Sequence, residues 1–127
     1  MGLKIGVVGT GRLGRIHTRV FKRIPEVELV GCYDVLGERS RQAAADFGAR
    51  AFESLDALLS AVDGVSVVVP TVHHEEVALK ALSAGKHVFL EKPMAASVAQ
   101  AENILGAAAR DRRVLQIGHV ERFNEAI

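Results

Sequence analysis

The residues with the clearest capacity for chemistry are Glu91 and Lys92, which precede Pro93. A lysine cation can donate a hydrogen bond to a hydroxyl group and stabilise the negative charge that develops on its oxygen. Glu91 could orient that cation, and Pro93 could fix an unusual backbone turn beside it. The ordinary alternative is a surface Glu–Lys pair that precedes a helix.

A second candidate is the stretch from Gly9 to Gly14, which matches the pattern G-x-G-x-x-G. In this pattern the first glycine permits a tight turn, the second lets a pyrophosphate approach the backbone, and the third lets a helix pack closely on a strand. The helix that follows offers free N–H groups and a partial positive charge to the phosphates. We therefore predict a dinucleotide site that includes Gly9, Thr10, Gly11, Arg12, Leu13 and Gly14. A glycine-rich turn without a ligand is the alternative.

Asp34 follows Gly14 by 20 residues and ends a predicted strand. An acidic residue at this place can accept hydrogen bonds from the adenosine ribose hydroxyls and would repel a 2′-phosphate. It therefore favours NAD over NADP. Arg39 and Arg41 leave NADP open, because arginine can hold a 2′-phosphate. A turn or helix-capping role for Asp34 is the alternative.

Short apolar runs alternate with helical patterns along the chain. The strands are predicted at 3–8, 27–33, 49–52, 65–69, 87–90 and 114–118, and the helices at 12–23, 38–47, 54–61, 74–84 and 97–109. Ser54 and Ser97 are expected to cap helix starts, and Gly48 and Gly85 to follow helix ends. In the first helix, Leu13, Ile16 and Val20 are expected to face the core. Such alternation predicts an α/β fold, a Rossmann-type doubly wound parallel sheet with helices on both faces.

The carboxyl ends of the strands in such a sheet meet at one edge, where ligands bind. Pro70, Thr71, His74 and His119 stand at predicted strand ends on that edge, together with Glu91 and Lys92, and we predict that they all contact the cofactor. The run His73-His74-Glu75-Glu76 resembles a metal cluster, but adjacent side chains on a helix do not converge on one ion. No metal site is therefore expected.

Charge and cysteine content exclude several functions. The chain has 127 residues, with 16 Lys and Arg against 15 Asp and Glu. This balance is not that of a nucleic-acid or membrane-surface binder. The single cysteine, Cys32, fits a reducing compartment and is expected to be a buried strand residue. No run is long and apolar enough to span a bilayer, and no signal peptide is evident. We expect a cytoplasmic protein.

Four stretches resemble the Gfo/Idh/MocA oxidoreductases, the glucose-fructose oxidoreductase and inositol dehydrogenase group. They are the glycine motif with the trailing His17, the Pro70-to-Glu75 segment, Ala84-Gly85-Lys86-His87-Val88 leading into Glu91-Lys92-Pro93, and Gly118-His119-Val120-Glu121-Arg122-Phe123-Asn124. The resemblance covers essentially the whole chain. Thr71 departs from the pattern, because the family often has Asn after the proline. The last stretch is similar to members that oxidise the 3-hydroxyl of a UDP-N-acetylglucosamine-type substrate.

The resemblance implies NAD(P)-dependent hydride transfer to or from a hydroxyl-bearing carbon of a small-molecule sugar or polyol. It implies that Lys92 is the catalytic residue, and that a second α/β domain supplies the substrate pocket and further catalytic residues. Residues 1–127 would then be the NAD(P)-binding domain, with the substrate domain absent and no turnover by this chain alone. We expect the full-length protein to be a homo-oligomer.

Two other functions stay open at this point. A dinucleotide-binding sensor or regulatory domain would share the fold without doing chemistry. The cation at Lys92 argues against a sensor, which has no need of it. A dihydrodipicolinate reductase-like enzyme on the same fold is also compatible with Lys92 and His119, although the extended motifs fit it less well.

Overall fold

The structure, a computed structural model, describes residues 2–118. Its strands are β1 (Leu3–Val8), β2 (Val27–Tyr33), β3 (Arg50–Ala51), β4 (Gly64–Val67), β5 (His87–Glu91) and β6 (Leu115–Gly118). Its helices are α1 (Arg12–Lys22), α2 (Gly37–Phe47), α3 (Leu55–Ala61), α4 (His74–Ser83) and α5 (Val98–Arg110), with a short 3₁₀ turn at Thr71–His73 before α4. The stretch 119–127, which includes His119, lies outside the described residues.

The six strands form one parallel sheet in the order β3-β2-β1-β4-β5-β6. The chain runs outward from β1 to β3 and then returns to the other side of β1 to start β4. This reversal of strand order creates a crevice outside the carboxyl ends of β1 and β4, the place where doubly wound sheets bind ligands. The Rossmann-type fold predicted from the alternating pattern is confirmed.

The sheet buries both faces, so its central strands are apolar on both sides. Within β1, Val7 belongs to a core with Phe21 of α1 and Ala43 of α2, whereas its neighbour Val8 belongs to a core with α3, α4 and α5. Alternation of side chains along a strand accounts for this split. Helices α1 and α2 therefore cover one face, and helices α3, α4 and α5 cover the other.

The predicted inward face of α1 is wrong. Leu13 is 38% exposed, and Ile16 and Val20 are only partly buried. The stripe that meets the sheet consists instead of Gly14, His17, Thr18 and Phe21. Polar residues can occupy it because their polar atoms are bonded: the Thr18 hydroxyl donates a 2.7 Å bond to the Gly14 carbonyl oxygen, and His17 is bonded as described below.

The helix caps read from the sequence are confirmed. Ser54 and Ser97 accept hydrogen bonds from the amides of Ala57 and Gln100, and Gly48 adopts a φ of 68° at the end of α2. Element ends differ from prediction by up to two residues; β4 stops at Val67 rather than at residue 69. No helix within residues 2–118 is both long and apolar enough to cross a membrane.

Candidate functional site

The turn after β1 contains two glycines that no other residue can replace without a clash. Gly9 has a φ of 99°, and its amide donates a 2.8 Å hydrogen bond to the carbonyl oxygen of Tyr33 at the end of β2. A Cβ at Gly9 would overlap the carbonyl oxygen of Val68, and a Cβ at Gly14 would overlap that of Gly9. Gly14 thus lets α1 start directly against the turn.

Gly11 differs from these two because a Cβ there would clash with no backbone atom. A Cβ built on Gly11 has one neighbour within 4 Å outside its own surroundings in the chain, the guanidinium Nη1 of Arg39 at 3.8 Å. Gly11 caps α1 without a side-chain hydrogen bond, and the first turn of α1 holds no acidic residue. The positive end of the helix dipole therefore borders a space that an anionic group could enter. Exposed Arg12 and Leu13 stand at the same helix start.

Asp34 is hydrogen-bonded to Thr10 of the glycine turn. Its Oδ2 accepts a 2.7 Å hydrogen bond from the Thr10 amide and a 3.0 Å bond from the Thr10 hydroxyl, while Oδ1 accepts a 2.8 Å bond from the amide of Leu36. Thr10 is 2% exposed, so its two bonds to Asp34 are partly shielded from water, whereas the bond from Leu36 lies at the surface. They hold the carboxylate at the end of β2, beside Gly11. A carboxylate has about four acceptor positions, so Asp34 retains capacity for a further donor.

The end of β5 is tied to α1 through buried polar side chains. The Nδ1 atom of His17 lies 2.6 Å from the hydroxyl of Ser66 in β4, and its Nε2 atom lies 3.4 Å from Oε1 of Glu91. His17 and Glu91 are 0% and 5% exposed, and the His17 ring makes an edge contact with Phe89. Glu91 therefore points into the molecule on the α1 face, while the next residue, Lys92, is exposed.

The segment after Lys92 is tied to the other face of the sheet. The Lys92–Pro93 peptide bond is cis. The carbonyl oxygen of Met94 lies 3.1 Å from Nδ1 of His74, the first residue of α4, and Nε2 of His74 lies 3.0 Å from the carbonyl oxygen of Val69. His74 is 2% exposed. The segment from Glu91 to Met94 is thus held at its first residue from α1 and at its last residue from α4.

Pro70 and Thr71 stand between the end of β4 and α4, as the sequence predicts. Pro70 is exposed and its carbonyl oxygen accepts a 2.9 Å bond from the amide of His73, which closes the 3₁₀ turn. His73 and Glu76 are both exposed and 4.0 Å apart. Within residues 2–118 no group of three or more His, Cys, Asp or Glu side chains is placed to hold a metal ion.

Cys32 lies in β2, two residues before Asp34, and is buried as predicted. Burial, with a smaller contribution from the negative charge of Asp34, raises the pKa of the Cys32 thiol from its ordinary 9.0 to about 11. A thiol that stays protonated at neutral pH is a poor nucleophile, so the chemistry of this edge does not involve it.

The structure brings most of the predicted site residues to one edge of the sheet, and contact with a cofactor stays a prediction for each of them. Three features were not predicted: the bonds from Thr10 to Asp34, the buried contacts of His17 with Ser66 and Glu91, and the contacts of His74 with the Val69 and Met94 carbonyls. Ser66 carried a usable signal, because it is a polar residue inside the otherwise apolar, β-branched run of 65–69.

Comparison with known proteins identifies the family. Residues 3–119 match the sequence model of the Gfo/Idh/MocA group, described as an oxidoreductase family with an NAD-binding Rossmann fold. UDP-N-acetylglucosamine 3-dehydrogenase of Acidithiobacillus ferrooxidans is 42% identical over 125 residues, which are 98% of this chain and 39% of that protein. Glucose-6-phosphate 3-dehydrogenase of Bacillus subtilis is 39% identical over 107 residues, covering 84% of this chain and 31% of that enzyme.

Solved structures agree with the sequence comparisons. The structure of the Acidithiobacillus ferrooxidans enzyme superposes with a TM-score of 0.92 at 41% identity and covers 100% of this chain and 41% of that one. GenD2 from gentamicin A biosynthesis, solved in complex with NAD, has a TM-score of 0.88 at 34% identity and covers 92% of this chain and 34% of its own.

The fold and the glycine turn define an NAD-binding Rossmann domain of an oxidoreductase. This chain belongs to the Gfo/Idh/MocA oxidoreductase family. It spans about two fifths of the length of the first of these relatives.

Proposed function

We propose that this chain binds NAD at the carboxyl edge of its sheet, as the nucleotide-binding part of a dehydrogenase that acts on a hydroxyl-bearing carbon of a sugar or polyol. One observation carries the proposal: at Gly11, at the start of α1, a Cβ would meet only the guanidinium of Arg39, beside a carboxylate that Thr10 holds in place. An anion-binding helix start next to an oriented hydrogen-bond acceptor suits a pyrophosphate joined to a ribose.

The residues present fit the cofactor. The absence of a side chain at Gly11 leaves room for the pyrophosphate, and the amides of the first turn of α1 can donate hydrogen bonds to its oxygens. Arg12 and Leu13 are exposed at that helix start. Asp34 can accept a hydrogen bond from a ribose hydroxyl with the acceptor capacity that Thr10 and Leu36 leave unused.

We propose that NAD is preferred to NADP. The carboxylate of Asp34 would repel a 2′-phosphate at the ribose position that it contacts. The guanidinium of Arg39 lies beside the glycine turn, where it could bind the 2′-phosphate of NADP and offset its repulsion by Asp34. The preference is therefore set by the balance between Asp34 and Arg39.

Lys92 is the proposed catalytic residue. When bound, the nicotinamide of NAD exchanges a hydride with the substrate carbon. Lys92 is exposed at the same edge of the sheet, with the preceding Glu91 and the following Met94 both anchored. Its ammonium group would hold the substrate hydroxyl oxygen and stabilise the negative charge that develops there. A domain that only reports on NAD has no use for such a cation.

The substrate class follows from the relatives. Two of them are named as 3-dehydrogenases, of UDP-N-acetylglucosamine and of glucose 6-phosphate. We propose a UDP-linked N-acetyl sugar as the substrate, because the relative with the higher identity acts on one. The sugar-binding residues would lie in a second domain, and turnover would require that domain. We further propose that the full-length enzyme is cytoplasmic and homo-oligomeric.

Calorimetric titration with NAD and NADP tests cofactor binding and preference. Wild type should bind NAD at least about tenfold more tightly than NADP. Asp34→Asn removes the charge but keeps an acceptor for Thr10, so it should reduce the difference in affinity between NAD and NADP. Arg39→Ala should increase that difference by weakening the binding of NADP. Tighter binding of NADP to wild type would contradict the role given to Asp34. Failure of both dinucleotides to bind would contradict the function itself.

Formation of NADH by the full-length enzyme tests the substrate and Lys92. UDP-N-acetylglucosamine should give a higher kcat/KM than glucose 6-phosphate or inositol. Lys92→Ala should lower kcat by about 100-fold or more while the affinity for NAD is kept, and Lys92→Arg should recover part of the loss. An unchanged kcat in Lys92→Ala would remove Lys92 from the reaction.

A further inference from the structure

His74 joins two separate segments of the sheet edge. Its Nδ1 lies 3.1 Å from the carbonyl oxygen of Met94, which follows β5, and its Nε2 lies 3.0 Å from the carbonyl oxygen of Val69, which follows β4. Both acceptors are backbone atoms, and the ring is almost completely buried. In either neutral tautomer, one ring N–H faces one of these oxygens.

The Met94 carbonyl is two residues beyond Lys92, so its anchor bears directly on the proposed catalytic cation. Lys92 is exposed, and a long side chain on the surface is held only as well as its backbone. Glu91 fixes the backbone before Lys92 by ending β5 in register with β6. After Lys92, the contact between Nδ1 of His74 and the Met94 carbonyl oxygen and the packing of the Met94 side chain return the chain to the folded body.

The anchor is itself fixed. His74 begins α4, and the next residue, Glu75, accepts a 2.8 Å hydrogen bond from the side chain of Asn103 in α5. The methionine side chain of Met94 packs against the core formed with α3, α4 and α5. The position of the turn that carries Lys92 is thus fixed by α4 and α5, and not by the glycine turn.

We propose that His74 is a positioning residue: through its Nδ1 bond to Met94 it holds the turn that presents Lys92, and it does not contact the cofactor. This inference rests on the proposed function. It replaces the sequence-based expectation that His74 itself touches NAD. Small displacements of a catalytic group are costly, and a shift of about 1 Å can reduce turnover by about 100-fold.

Two substitutions separate the two ring nitrogens. Asparagine places its amide nitrogen at the same number of bonds from Cβ as Nδ1, so His74→Asn can still donate to Met94. Glutamine places its amide nitrogen at the position of Nε2, so His74→Gln can donate to Val69 but not to Met94. Each variant keeps a nitrogen facing one of the two carbonyl oxygens and removes the ring nitrogen that faces the other, so each is a matched control for the stability cost of the other.

The side chain of Met94 supplies the readout. The chain contains two methionines, Met1 and Met94, so ¹³C-methyl-methionine labelling gives two signals. We expect the Met94 methyl resonance of His74→Asn to stay at the wild-type position and that of His74→Gln to shift or broaden. Both variants should bind NAD within about twofold of wild type. In the full-length enzyme, His74→Gln should lower kcat by about 10- to 100-fold with little change in the KM for NAD, and His74→Asn should not.

The outcomes distinguish the inference from the proposed function. If wild type binds NAD but the two variants give the same Met94 resonance and the same kcat, the positioning role is wrong. A loss of NAD affinity in both variants would instead assign His74 to direct cofactor contact and overturn the inference. If wild type does not bind NAD, the proposed function fails, whatever the Met94 resonance shows.

Discussion

The turn after β1 and the turn after β5 lie on the same edge of the sheet but are held in different ways. At the glycine turn, Gly9 and Gly14 leave no room for a Cβ, so its shape depends on missing side chains. At the turn that carries Lys92, the chain is held by side chains that it meets from both faces, His17 of α1 and His74 of α4. We propose that the first turn brings backbone close to the dinucleotide, whereas the second presents the side chain of Lys92 to the substrate.

The comparison shows why one turn is easier to find in a sequence than the other. A turn made by absent side chains must use glycine, and glycines at fixed spacing are visible in the sequence. A turn held by buried histidines depends on partners that are distant in the chain. The contact between His17 and Ser66 spans 49 residues, and that between His74 and Met94 spans 20.

Gly14→Ala should lower the stability more than any other substitution considered, because it disrupts the packing of α1 on the glycine turn. The new Cβ would overlap the backbone carbonyl of Gly9, which cannot move aside without shifting β1 or α1. We expect the free energy of unfolding to fall by more than about 3 kcal/mol. Urea denaturation followed by circular dichroism measures it.

Gly106→Ala is the matched control for Gly14→Ala. Gly106 lies in α5, and nothing lies within 4 Å of a Cβ built there. Alanine is the better helix former, so this variant should be up to about 1 kcal/mol more stable than wild type. If Gly14→Ala were as stable as Gly106→Ala, the close packing of the first turn would be disproved.

His17→Leu removes the side chain of α1 that contacts the end of β5, next to the turn that carries Lys92. It removes the bond to Ser66 and leaves the buried carboxyl of Glu91 without the imidazole that now faces it. We expect a loss of about 2–3 kcal/mol in the free energy of unfolding, because polar groups that lose buried partners keep the cost of desolvation. Arg19→Leu, at an exposed position on the same helix, should change it by no more than about 0.5 kcal/mol. Equal stabilities of these two variants would show that the contacts of His17 are not needed.

Gly11→Ala separates binding from folding within the first turn. Its Cβ would meet only the guanidinium of Arg39, at 3.8 Å, so the free energy of unfolding should stay within about 1 kcal/mol of that of wild type. The same methyl group would occupy the proposed path of the pyrophosphate, and NAD affinity should fall by about 5- to 150-fold, as expected for about 1–3 kcal/mol of overpacking. Calorimetry with Gly106→Ala as control measures the change. Undiminished affinity would place the pyrophosphate elsewhere.

Ser66→Ala is expected to have the smallest effect. It removes the hydroxyl that lies 2.6 Å from Nδ1 of His17 but leaves the contact between His17 and Glu91. We expect a loss of about 1 kcal/mol in unfolding free energy. A loss as large as that of His17→Leu, measured in the same urea experiment, would show that the three residues act as one unit rather than as separate contacts.

The sequence predicts the order of strands and helices well, because alternating apolar runs and helix caps are local signals. Ser54, Ser97 and Gly48 act as expected. It fails for the inward face of α1, where apolar residues suggested Leu13 but the buried stripe includes His17 and Thr18. Burial of polar residues is decided by bonds such as that from Thr18 to the Gly14 carbonyl and by partners on other strands, which residue type alone does not reveal.

The candidate site also contains features that the sequence predicts and features that it does not. The positions of Gly11, Asp34 and Lys92 at the sheet edge follow from motif and topology. That Thr10 fixes Asp34 and that His74 reaches Met94 could not be read from the sequence, because both depend on how two turns approach each other in space.

We propose that both turns serve one dinucleotide, and the Met94 methyl signal distinguishes this arrangement from a site built on the glycine turn alone. NAD should shift this resonance along a saturation curve that matches the calorimetric affinity. AMP, which lacks the nicotinamide half, should bind near Asp34 without moving it. If NAD binds with the expected heat and the Met94 resonance stays where it is, the turn that carries Lys92 is not part of the NAD site and the proposal is wrong.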